Sequence, residues 1–111
     1  MYDGKKFCSV ANSATGDVSS ETSFIYHQSG ELVWASYEGG SVRFGTLVAK
    51  ADADGRLDAC YQHLTVDGEL KTGECQSVPE QLDDGRLRLR ETWQWTCGSR
   101  ASGSSIVEEV R

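Results

Sequence analysis

Five glycine-centred dipeptides, Ser29-Gly30, Gly39-Gly40, Asp54-Gly55, Asp67-Gly68 and Asp84-Gly85, punctuate this sequence at short intervals. Each favours a tight reversal, because glycine enters the positive-φ conformations of two-residue hairpin turns without steric cost. The runs between them are rich in Val, Thr, Tyr, Phe and Trp, which suit pleated strands. No stretch sustains apolar spacing at three and four residues, so almost no helix is expected. The pattern predicts eight strands, at 5–12, 19–28, 32–38, 42–51, 56–66, 69–79, 86–96 and 104–110. Strands joined by tight turns are antiparallel neighbours, so the fold class is an all-β up-and-down meander. Closing eight such strands into a small barrel removes the exposed edges. A two-sheet sandwich fits less well, because it needs long Greek-key crossovers.

A chain of 111 residues makes a single domain, 1–111. Its formal charge of −6 argues against a nucleic-acid partner. No apolar run approaches the roughly 20 residues that span a bilayer, so no membrane partner is expected. The start, Met-Tyr-Asp-Gly-Lys-Lys-Phe, has no apolar stretch behind its lysines, which points to a cytoplasmic protein.

If each dipeptide is a two-residue turn, the strand partners follow. Tyr61 then opposes Glu74, His63 opposes Thr72, Cys60 opposes Cys75, Ala35 opposes Phe44, Tyr26 opposes Val33, Val48 opposes Tyr61 and Val78 opposes Glu91. Chained together, these pairs place Phe24, Tyr26, Val33, Ala35 and Tyr37 on one face. Val42, Phe44, Val48, Leu57, Ala59, Tyr61 and His63 join them, as do Leu70, Glu74, Val78, Leu87, Leu89, Glu91, Trp93 and Trp95. The other face carries Arg43, Asp58, Lys71, Arg86, Arg88 and Arg90, so the first face is the interior. One residue of slip in any turn would invert a strand.

Polar groups converge with aromatics inside. An eight-stranded barrel can enclose one small ligand, and such pockets are apolar with a few placed polar groups. The candidate ligand-binding residues are Tyr37, Tyr61, His63, Glu74, Glu91 and Trp93. Equally, Glu74 and His63 could reach water at the open ends, with tyrosine hydroxyls satisfying Glu91 in a filled core.

Cys8, Cys60, Cys75 and Cys97 lack Cys-x-x-Cys spacing, so neither a zinc ribbon nor a thioredoxin motif is present. Cys60 and Cys75, as cross-strand neighbours, fall within disulfide range, but a cytosolic chain keeps its thiols reduced. No metal site is expected. Outside the barrel, Ile25, His27, Leu32 and Trp34 cluster, with Ile25 opposite Trp34 and His27 opposite Leu32. An exposed apolar patch marks a contact site, and a homodimer is the commonest soluble assembly.

The sequence contains no nucleophile elbow, Walker loop, His-Glu-x-x-His or Gly-x-Gly-x-x-Gly, so no catalytic residue and no cofactor is assigned. Glu74 and Glu91 are suited as residue types to acid–base work, but no substrate geometry accompanies them.

The segments Tyr2-Asp3-Gly4-Lys5-Lys6-Phe7, Tyr26-His27-Gln28, Tyr61-Gln62-His63 and Trp93-Gln94-Trp95 resemble a family of short bacterial proteins of uncharacterised function. The resemblance covers nearly the whole chain and implies a small avidin- or lipocalin-like barrel. Some members carry the label N-acetylglutamate synthase. Acetyltransferases of the common fold hold coenzyme A with an Arg/Gln-x-x-Gly-x-Gly/Ala loop before a helix. The nearest string here, Arg100-Ala101-Ser102-Gly103-Ser104-Ser105, lacks the final small-residue pattern and has no room for that helix. The leading functional reading is therefore a non-catalytic small-molecule binder, followed by a self-associating interaction module with a filled core. The enzyme of the family label comes last.

Overall fold

The computed structural model describes residues 1–14 and 16–111. The meander expected from the turns is present as eight strands: β1 (Lys6–Asn12), β2 (Ser23–Ser29), β3 (Leu32–Gly39), β4 (Val42–Ala51), β5 (Leu57–Thr65), β6 (Leu70–Gln81), β7 (Leu87–Trp95) and β8 (Ser102–Val110). Each pairs antiparallel with the next, and β1 pairs with β8 to close the barrel. No helix occurs among the described residues. Residues 19–22, expected to open the second strand, instead form a turn stapled by Thr22, whose amide donates to the Ser19 carbonyl at 2.9 Å.

Three hairpins differ from expectation in one way. Gly55, Gly68 and Gly85 each donate an amide hydrogen bond to the carbonyl three residues back, at 2.9–3.0 Å, with φ between +82° and +88°. These are three-residue loops in which a type I turn ends in a left-handed glycine, not two-residue turns. Each therefore shifts the register by one. A bulge at Arg43–Phe44 adds a fourth shift, because Gly39 pairs with Val42 while Tyr37 pairs with Gly45. The shifts cancel in pairs. β5 and β7 keep their expected inner faces, whereas most of β4 and all of β6 are inverted.

The corrections follow strand by strand. On β4, Phe44 and Val48 point outward and Gly45, Leu47, Ala49 and Ala51 inward. On β6, Leu70, Glu74 and Val78 are exposed, while Gly73, Cys75 and Ser77 face the interior. Tyr61 opposes Gly73 rather than Glu74, and Ala35 opposes Leu47 rather than Phe44. Lys71, expected outside, shares the inward side of β6. Cys60 pairs with Glu74 and Cys75 with Ala59, so the two thiols lie on opposite faces and cannot meet in a disulfide.

The lower end of the barrel is closed by the segment before β1. Tyr2 is fully buried beside Tyr26, with ring centroids 5.9 Å apart, and its amide donates to Gln28 Oε1 at 2.9 Å. Val33, Leu89, Phe7 and Val107 complete this apolar half of the core. The polar half lies above it.

Candidate ligand-binding site

The upper interior is not filled. A cavity of about 60 Å3 remains between the sheet and the β1–β2 loop, which contributes Gly16, Asp17 and Val18 to its wall. That volume is a few times the minimum that a single water needs. Tyr37, Tyr61, His63, Glu91 and Trp93, all expected inside from the sequence, line it together. Glu74 does not. It stands on the outer face in a shallow groove with Asp58 and Gln76 because β6 is inverted.

Glu91 sits on β7 with a serine directly opposite on each side, Ser77 on β6 and Ser105 on β8. Ser105 Oγ donates to Glu91 Oε1 at 2.9 Å, and Ser77 Oγ donates to Oε2 at 3.1 Å. Desolvation still dominates, and it raises the Glu91 pKa above the ordinary 4.5. Neither serine could be assigned to the site from sequence, because both depend on strand placements that the turn lengths decide.

At the mouth, His63 connects the sheet to the loop. The Tyr37 hydroxyl lies 2.8 Å from His63 Nδ1, and His63 Nε2 lies 2.9 Å from Asp17 Oδ2. The tautomer with its proton on Nε2 satisfies both contacts, donating to Asp17 and accepting from Tyr37. Lys71 Nζ is 3.0 Å from Asp17 Oδ2 and 5.0 Å from the centre of the Trp95 ring. Desolvation pushes the Asp17 pKa upward, but hydrogen bonds from His63 and Lys71 outweigh it and hold it below 3.8. Asp17 escaped the sequence reading because a loop residue meeting β5 and β6 carries no periodic signal.

The rings form a continuous inner surface. His63 and Trp95 meet edge-on at 5.5 Å, Tyr61 and Trp95 at 5.7 Å, and Trp93 and Trp95 tilt together at 5.6 Å. Burial drives the Tyr37 and Tyr61 phenols and the Cys75 thiol far above their ordinary pKa values. All three stay protonated near neutrality, so none is an activated nucleophile. No three His, Cys, Asp or Glu side chains converge as a metal cage among the described residues.

An avidin-like protein family model matches residues 1–110. The chain belongs to the avidin-like family. No curated protein and no solved structure matches it. The avidin-like assignment agrees with the closed eight-stranded meander, and such a barrel suits small-molecule binding in general. The Arg100–Gly103 string of this avidin-like chain runs from the β7–β8 turn into β8, rather than from a strand into a helix.

Of the outer-face residues, Ile25, Leu32 and Trp34 are exposed and His27 is half-buried. The pairing differs from expectation by two residues, which preserves the face. His27 opposes Trp34 and stacks on it at 5.4 Å, Ile25 opposes Ser36, and Leu32 opposes Ser29. Val48, expected inside, instead lies beside Trp34 on β4 and extends the patch.

Proposed function

We propose that this avidin-like barrel is a non-catalytic binder of a small organic molecule, held in its upper interior by Tyr37, Tyr61, His63, Glu91 and Trp93. One observation carries this reading. The interior keeps an open cavity whose wall includes a carboxylate with no cationic partner among the described residues. A buried carboxylate is costly unless fully satisfied, and one serving the core alone would be better replaced by a neutral side chain. The Tyr37 and Tyr61 phenols and the Cys75 thiol, all held protonated beside the cavity, favour binding over catalysis. The test is a thermal-shift screen of a metabolite library, since a ligand for the native state raises the midpoint by mass action. A library without a single stabilising compound would count against the reading.

A second reading concerns the outer face. We propose that two copies associate through Ile25, His27, Leu32 and Trp34, with Val48 added to the contact. The His27–Trp34 stack on the outer face supports it, because aromatics at the centre of a patch dominate binding energies.

A further inference from the structure

Where β6, β7, β8 and β1 meet, the inner wall has hydrogen-bond acceptors in excess. Ser77, Glu91, Ser105 and Asn12 pair directly across these four strands in that order. The bulge between Ser9 and Ala11 is what turns Asn12 toward the interior. Both serine hydroxyls already direct their protons to Glu91. A carboxylate has about four lone-pair directions, so even with the Cys75 thiol as a third neighbouring donor Glu91 retains acceptor capacity. Asn12 Nδ2 donates to the Val18 carbonyl at 2.7 Å, which fixes the orientation of its amide. Asn12 Oδ1 is left as a buried acceptor without a partner among the described residues. Glu91 and Asn12 both line the cavity.

Positive charge is what this wall lacks. No lysine or arginine lines the cavity among the described residues, and the Lys71 ammonium is held at the mouth by Asp17. Resting on the interior-binding reading above, we propose that the occupant is a small organic primary ammonium ion. Its N–H groups donate to Glu91 and to Asn12 Oδ1, and its hydrocarbon part lies against Tyr61 and Trp93. Three donors and one positive charge answer the two deficits of the wall together. Ring faces attract a cation as well. A cavity of about 60 Å3, a few times the minimum that a single water needs, limits the ligand to a small molecule. The net charge of −6 favours the approach of cations.

The test is a chemical-shift titration of the full chain at neutral pH with n-butylammonium chloride and with 1-butanol, its uncharged isostere, at matched ionic strength. Wild type should bind butylammonium at least tenfold more tightly than butanol, and Glu91→Gln should lose that preference. Asn12→Asp, which adds a carboxylate to the same wall at little change in volume, should tighten butylammonium at least threefold and leave butanol unchanged. This second variant keeps the test decisive if Glu91→Gln fails to fold. Equal binding of the two probes, or a preference that survives Glu91→Gln, would overturn the ammonium assignment and leave interior binding intact. Binding of an uncharged library compound but of neither probe would overturn it in the same way. If neither probe binds and no library compound stabilises the protein, both readings fail together.

Discussion

Tyr61 and Gly73 face each other across β5 and β6, and the phenol occupies the space that a side chain at position 73 would need. The same relationship joins Tyr37 with Gly45 and Trp93 with Gly103. Three large rings thus lie over neighbouring glycines along the wall, which leaves room on the barrel axis. Glycine within a strand often marks such a close approach.

Gly73→Ala should therefore destabilise the fold by about 1–3 kcal/mol, the usual cost of overpacking a core. Urea denaturation measures it. Combining the change with Tyr61→Ala removes the clash, so the two substitutions should be strongly non-additive.

Glu91 sets a pH dependence whose sign follows from its raised pKa. Between 4.5 and the folded value, the native state binds more protons than the unfolded chain. The group's contribution is therefore fully present below 4.5 and is lost as pH rises through the folded value. Glu91→Gln removes this loss. The variant should gain stability relative to wild type as pH rises from 4.5 to neutrality, measured by denaturation midpoints on both proteins. A constant difference across that range would contradict the account.

Asp17 behaves in the opposite sense. Its lowered pKa means that its contribution is present above 3.8 and is lost as pH falls through the folded value. Asp17→Asn should cost about 1.5–3 kcal/mol, the range for hydrogen bonds to charged groups. It should also speed amide exchange at Gly16 and Thr22 while leaving β7 protected, which hydrogen-exchange measurements resolve.

The architecture was legible because turn glycines and β-rich runs repeat along the chain, and a meander follows from that repetition alone. Side-chain facing was legible only in part, because it depends on whether each Asp-Gly closes a loop of two or three residues. Two-residue turns still place Tyr61, His63, Glu91 and Trp93 inside, because the one-residue differences at successive turns cancel at β5 and β7. They put Glu74 on the wrong face, because β6 lies between two three-residue loops. Gly45 and Gly73 held a usable signal, since each needs a bulky cross-strand neighbour to cover it. The Asp17–His63 contact carried none, because it joins a loop to a strand 46 residues away.

Trp34→Ala should give a folded monomer, since its side chain stacks on His27 outside the core. Light scattering on both proteins at matched concentration reads the assembly, and circular dichroism reads the fold. A wild-type monomer at high micromolar concentration would remove the dimer, and an unfolded variant would contradict the outer placement of Trp34.

Interior binding is tested most directly by methyl resonances recorded while a stabilising compound from the library is titrated. Leu57 and Ala59 line the cavity, whereas Leu32 and Val48 lie on the outer patch. The account predicts saturable shifts at Leu57 and Ala59, with Leu32 and Val48 unchanged. Shifts confined to Leu32 and Val48 would contradict it and identify the outer face as the working surface.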